Sequence, residues 1–193
     1  MEFKKIVAIY RLSVPCAGVV VSTREGAGLR DEVVHIGASQ ISAGSKTEPG
    51  GYSKWGKGQG SRVKEVGWAL PTNADNKPVE QFSTNDHRSM EEMIASILRS
   101  GLLPSLCTTC YRIGRTGADF TKKTLSGDME KFCQANAILT LHEYLLDYAQ
   151  NGAREMGRAA IEKGLKEIKE PGLKAEVLKK LDEIGHGKRD VYI

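Results

Sequence analysis

The chain has 193 residues, 40% of them hydrophobic and 27% charged, which is enough for one full core or two modest units. Its 28 basic and 24 acidic side chains leave a net charge of +4 scattered along the chain, and only 6% of residues are aromatic. The basic face with interleaved rings that nucleic-acid binding asks for is therefore missing, and no run of about 18 apolar residues exists to span a bilayer.

The opening MEFKKIVAIYRLSVP lacks a long apolar stretch with a small-residue cleavage site, so a cytoplasmic chain with neither nucleic acid nor membrane as partner is expected. Within it, apolar Phe3, Ile6, Val7, Ile9 and Tyr10 predict an amphipathic helix ending before Pro15. Residues 17–23, AGVVVST, are small, β-branched and uncharged, as in a strand buried on both faces of a parallel sheet. GLRDEVVHIG then reads as a helix closed by Gly37, and ASQISAG as a second buried strand. This α, β, α, β order predicts an α/β fold with parallel strands. Two strands do not complete such a sheet, and their open edges invite pairing with another chain.

Residues 46–81 are rich in Gly, Lys, Ser and Asn and read as a solvated loop insertion. It contains no GxxxxGK[ST] phosphate loop, but Trp55 and Trp68 are expected to pack against something. A helix is predicted from Asp86, with an acidic first turn, apolar Met90, Met93, Ile94, Ile97 and Leu98, and Gly101 past its end. Pro104 marks a boundary, so the domains are expected at 1–104 and 105–193. Beyond it, residues 136–152, 153–169 and 171–188 read as three helices.

Between them lies the run CTTCYRIGRTGADFTKKTLSGDMEKFC, in which Cys107, Cys110 and Cys133 follow the pattern Cx2C, x22, C. The uneven grouping without an export signal favours metal ligation over disulfides, leaving Cys16 without a role. Three thiolates hold an iron-sulfur cluster with one corner open, or a zinc ion if His142 supplies a fourth ligand. Spacing alone leaves both open. Arg112 and Arg115, set in a loop with Gly114 and Gly117, are placed to balance cluster charge and hold anionic ligands through forked donors. At the carboxyl ends of the two strands, where ligands gather in parallel α/β folds, stand Ser22, Arg24 and Ser42. Arg24 is suited to clamp a carboxylate there. No Ser, His and Asp set with hydrolase spacing is visible, and His35, His87 and His186 fit exposed or capping positions.

The segments RLSVPCAGVVVSTREGAGLRDEVVHIGASQISAGSKTEPGGY and QFSTNDHRSMEEMIASILRSGLLPS resemble the last part of the barrel of radical S-adenosylmethionine enzymes of the biotin and thiamine synthesis type. CTTCYRIGRTG, the gap to Cys133, QANAILTLHEYLLDYA and the closing GKRDVYI resemble the carboxyl-terminal domain of the HydG family, tyrosine lyases of FeFe hydrogenase maturation. The related ThiH family shares the barrel segment without this tail. The resemblance implies the last strand and helix units of a TIM-type barrel at 1–104, followed by a helical auxiliary-cluster domain at 105–193. It implies that Cys107, Cys110 and Cys133 hold an auxiliary 4Fe-4S cluster carrying an additional iron, on which carbon monoxide and cyanide from tyrosine are assembled for the hydrogenase H-cluster. The implied partners are an amino-terminal radical half or full-length enzyme, other hydrogenase maturation proteins, and the small molecules tyrosine and cysteine. The family's radical cluster uses a Cx3Cx2C motif, which these 193 residues do not contain. The chain is accordingly expected to need that missing part, and S-adenosylmethionine with it, for lyase chemistry. The alternative is a non-catalytic zinc or iron-sulfur module that docks on a partner protein.

Overall fold

The computed structural model describes residues 2–15, 17–47, 82–112 and 116–193. They are mostly helical, with one small sheet, and divide into two compact units, Met1–Met90 and Glu91–Ile193.

In the first unit, helix α1 (Glu2–Ser13) is amphipathic as its pattern predicts, burying Val7 and stopping two residues before Pro15. Strand β1 (Val20–Val21), helix α2 (Ala27–Ile36) and strand β2 (Gln40–Ile41) follow. The strands pair in parallel with Val20 opposite Gln40 and Val21 opposite Ile41. Both are shorter than the runs AGVVVST and ASQISAG predict. Nor is β1 buried on two faces: Val21 is 2% exposed, but Val20 is 60% exposed. The reason is local, since the apolar cluster of Val7, Val21 and Val33, with Phe3, Leu29 and Ile36 packed on it, covers one face of the pair only.

Gly37 caps α2, donating its N–H to Val33 O at 3.0 Å. A side chain there would collide with Arg11, whose Cβ lies 2.9 Å from where a Cβ would stand. That close approach lets the Arg11 guanidinium donate to Gly37 O at 3.1 and 2.6 Å, and to the carbonyls of Pro15 and Ala17, tying the end of α1 to the end of α2.

Helix α3 (Met90–Arg99) begins four residues later than its acidic first turn predicts. Asp86 is otherwise engaged: its carboxylate accepts from the fully buried Arg30, from the Arg88 guanidinium and from the Arg88 N–H, which holds residues 84–88 out of a helix. Gly101 follows α3 with a left-handed φ of 82°, as its place in the sequence implies.

The second unit is built around α5 (Asp128–Asp147), which buries Ala135, Asn136, Ala137, Ile138, Leu139, Leu141 and Leu145. A helix apolar on so much of its circumference is a central one. Helices α6 (Asn151–Glu167) and α7 (Pro171–Gly185) pack against it, and Ile94 and Leu98 of α3 join the same cluster. A short helix that the sequence reading did not anticipate, α4 (Ala118–Leu125), precedes α5. The two are joined through Gly127 at φ 78°, a left-handed turn that a side chain would strain. Helix α5 therefore starts at Asp128, eight residues ahead of the predicted 136, and Cys133 lies on it. No described helix is long and apolar enough to cross a membrane.

Candidate metal centre

Cys107 precedes a 3-10 turn over Thr109–Tyr111, and Cys110 lies within it. The turn is closed by Tyr111 N–H to Thr108 O at 3.0 Å and Arg112 N–H to Thr109 O at 3.1 Å. Ahead of it, Leu106 donates its N–H to Thr140 Oγ1 on α5 at 3.2 Å, which fastens the loop to the central helix. Cys107 Sγ accepts the Thr109 N–H at 3.3 Å and lies 3.0 Å from the Thr109 hydroxyl, itself buried. There the thiol donates to the hydroxyl oxygen, while the Thr109 N–H is the donor aimed at the sulfur, the kind of bond that favours the negative charge a metal-bound thiolate carries.

Cys133 arrives from the second turn of α5. Although its side chain reaches solvent, partial burial pushes its thiol pKa up, and the nearness of Cys110 and then Cys107 pushes it further. Thiols from two stretches distant in sequence thus lie near enough to affect one another, and none of the three forms a disulfide. Among the described residues no group of three or more His, Cys, Asp or Glu side chains stands at metal-holding distances. The donor set fits a thiolate-bound cluster in its chemistry, three sulfurs with a backbone N–H donor beside one of them.

His142 fits less well as a fourth zinc ligand. Nine residues beyond Cys133 on one helix, it is displaced about 13.5 Å along the axis and turned to the opposite side. Burial first, and then repulsion from Arg158 and Arg189, depress its pKa.

Beside Cys107 opens a cavity of about 290 Å³ lined by Thr109, Arg112, Glu143, Asp147, Asp190 and Tyr192, among others. Arg112 pairs with Asp190, and its guanidinium lies over the Tyr192 ring, 4.5 Å from the centroid. That hydrogen bond to Asp190 raises its pKa against a smaller opposing effect of desolvation. Arg115, the other predicted guanidinium, and Cys16 lie outside the described residues, as do Trp55 and Trp68. Asp190 and Tyr192 were not among the predicted site residues. The signal that could have flagged them is the closing RDVYI, polar and aromatic where a helical tail would have been expected to fray.

In the first unit, Ser22 and Ser42 directly follow the paired strands, so the register puts both at their carboxyl end. Arg24 is close by in sequence and lies over Phe82 at 4.0 Å from the ring centroid. Its carbonyl accepts from Asn85 Nδ2 at 2.7 Å, while Thr23 O accepts the N–H groups of Asn85 and Asp86. Ser42 O accepts from Arg30.

A family model, the Biotin and Thiamin Synthesis associated domain, matches residues 1–103. The chain belongs to that family. Within it, 2-iminoacetate synthase of Escherichia coli (strain K12) is 34% identical over 104 residues, covering 53% of this chain and 22% of that protein. The Salmonella typhimurium enzyme of the same name is 31% identical over 103 residues, with the same coverage. The HydG likeness goes further. A crystal structure of HydG, a maturase of the FeFe hydrogenase, matches 100% of this chain at 39% identity and a TM-score of 0.83, using 37% of its own length. HydG from Carboxydothermus hydrogenoformans matches 93% at 28% identity and a TM-score of 0.60, using 33% of its length. The chain thus spans about a fifth of the curated relatives and about a third of the solved HydG chains. The expected likeness to HydG holds, and the cysteine-bearing second unit shares in it.

Proposed function

We propose that the chain does the work of the carboxyl-terminal part of a HydG-like tyrosine lyase, with its first unit forming the last strand and helix units of a TIM-type barrel and its second unit carrying an auxiliary 4Fe-4S cluster. The nearness of the Cys133 thiol on α5 to Cys107 and Cys110, with the Thr109 N–H donating to Cys107, supports this reading. So does the full-length likeness to HydG. In this reading Cys107, Cys110 and Cys133 hold three corners. A cluster held there would leave one corner without a protein ligand, where a further iron could take up carbon monoxide and cyanide derived from tyrosine, as an iron synthon for the hydrogenase H-cluster.

The chain's own residues do the rest. The Thr109 N–H donates to Cys107 Sγ and would stabilise its thiolate when a metal is bound. Arg112 adds positive charge two residues beyond Cys110, as the Arg115 guanidinium would in the same loop. In the barrel unit, Ser22, Arg24 and Ser42 line the strand ends where substrate binds. Arg24, stacked on Phe82, offers a pre-oriented fork for a carboxylate such as that of tyrosine. Cleavage of S-adenosylmethionine belongs to the amino-terminal radical part, which with other maturation proteins would be the partner.

The test is anaerobic purification with quantification of iron, sulfide and zinc, and electron paramagnetic resonance of the reduced protein before and after cysteine or cyanide. About four irons and four sulfides per chain, a spectrum that shifts on ligand addition, and near-complete loss of iron in Cys107→Ala are expected. One zinc without sulfide would replace this reading with a docking module built on a structural zinc site.

A further inference from the structure

Helix α5 is buried and mostly apolar, yet it carries a polar stripe. Asn136, Thr140, Glu143 and Asp147 recur at intervals of four, three and four residues, which places them on one face. Asn136 is buried, Thr140 and Glu143 are half-buried and Asp147 is exposed. A buried polar group on a central helix is costly without a partner, and each of the four grips something outside the helix. Thr140 takes the Leu106 N–H at the front of the cysteine loop. The other three hold the last residues of the chain. Asp147 receives two hydrogen bonds from Arg189, both 2.6 Å. Glu143 accepts the N–H groups of Asp190 and Val191 at 3.3 and 3.0 Å. Asn136 brackets Ile193, accepting its N–H at 2.8 Å and donating to its carbonyl at 3.3 Å.

Among the described residues Asp190 alone combines a side chain with a positive φ, 59°. Such a conformation persists only where the surroundings over-determine it, as two flanking N–H groups pinned on one carboxylate do. Its carboxylate pairs with Arg112. Arg112 is also the residue whose N–H closes the 3-10 turn bearing Cys110, and Tyr192 lies against its guanidinium. One side chain therefore bridges the tail to the turn.

We infer that Arg189–Ile193 is a strap which sets the position of the Cys107–Cys110 loop, with Asp190 and Tyr192 as positioning residues acting through Arg112. The stripe on α5 is its cradle, holding the front of the loop and the strap from one rigid surface. Arg112 is thereby tethered rather than free to swing toward a ligand. The inference rests on the cluster reading only for what the loop presents, not for the tether itself.

The experiment is amide hydrogen exchange of the full 193-residue chain, read at Tyr111 and Arg112, with amides of α6 as the internal control. Asp190→Asn keeps the shape and the tolerance for positive φ but removes the charge. It should speed exchange at these two amides about threefold to fivefold, with α6 unchanged. Tyr192→Leu should add a comparable local effect, and Tyr192→Phe, which keeps the ring but removes the hydroxyl that also bonds Arg112, a smaller one. After iron and sulfide reconstitution, Asp190→Asn should retain its iron but broaden the paramagnetic spectrum, which a defect of bulk stability alone would not do. Exchange at Tyr111 and Arg112 equal to wild type in both Asp190→Asn and Tyr192→Leu would overturn the strap, whatever the metal content. A wild-type chain without iron and sulfide would instead sink the cluster reading and leave the exchange result standing.

Discussion

Among the described residues of Met1–Met90 the buried apolar cluster is Val7, Val21 and Val33, while in Glu91–Ile193 it runs from Ile94 and Leu98 through Ile138, Leu139, Leu141 and Leu145 to Val177, Ile184 and Val191. Beside their cluster the described residues of the first unit carry buried charge. Arg30 is fully buried and pairs with Asp86, Arg88 bridges Asp86 and Asp31, and Ser42 O accepts from Arg30. The Nε of Arg30 has no hydrogen-bond partner among the described residues. The same unit leaves Ile9, Tyr10, Leu12 and Val20 largely exposed. A region whose apolar core is small can still be ordered by a polar lock, but the lock is directional and fails at once when one member is lost.

The largest expected effect breaks that lock. Arg30→Ala leaves the Asp86 carboxylate buried beside a gap and should destabilise the first unit by about 3–5 kcal/mol. Leu139→Ala should cost the second unit about 2–5 kcal/mol through its cavity. Hydrogen exchange resolves the two: α2 should lose protection in the first variant, and α5 and α7 in the second. Loss of protection throughout the chain in either variant would show that the units are not separate in stability. A smaller effect, of the order of 2 kcal/mol, comes from acid. Burial alone would raise the Asp86 pKa, but hydrogen bonds from Arg88 and Arg30 hold it at about 2. A carboxylate depressed in this way contributes stability that is complete above its unfolded pKa of about 4 and is lost as pH falls through about 2. The first unit should therefore loosen between pH 4 and 2. In the second unit the acids depressed by partners, Asp147 and Glu183, lie at the surface, where water and salt screen them. Exchange in α5 that accelerates as early as that in α2 would refute the assignment.

The same contrast explains what could be read in the sequence. Periodicity and end signals located α1, α2, α6 and α7 closely, because those helices are set by amphipathic spacing, Gly37 and Pro171. Asp86 reads as a helix-opening acid although α3 starts at Met90, because only the fold brings Arg30 to it from 56 residues away. The run VVV predicts a long, doubly buried strand, whereas burial of the strand faces depends on neighbours that local composition does not specify. At the candidate site, the cysteine spacing pointed to Cys107, Cys110 and Cys133 directly. The partners of Arg112 were not legible, because Asp190 lies 78 residues further on and its role depends on where α5 lays the tail down. Long-range polar contacts carry no periodic signature.

The smallest effects probe how tightly the apolar unit is packed, and α6 supplies two glycines that should respond with opposite signs. At Gly152, near the start of the helix, an added Cβ meets nothing within 4 Å. Gly152→Ala should gain about 0.5–1 kcal/mol, because alanine loses less backbone freedom in a helix. At Gly157 the new Cβ would stand 2.6 and 2.7 Å from the two methyls of Leu145. Those methyls end a flexible side chain, but Leu145 is 2% exposed and enclosed by the core of α5, so it has little room to turn away. Overpacking costs about 1–3 kcal/mol, which exceeds the same helical gain, and Gly157→Ala should lower the thermal midpoint of the second unit while Gly152→Ala raises it. Stabilisation by both would mean that α5 and α6 can part at no cost, and the rigid surface on which α5 is held to carry the tail and the cysteine loop would lose its physical basis.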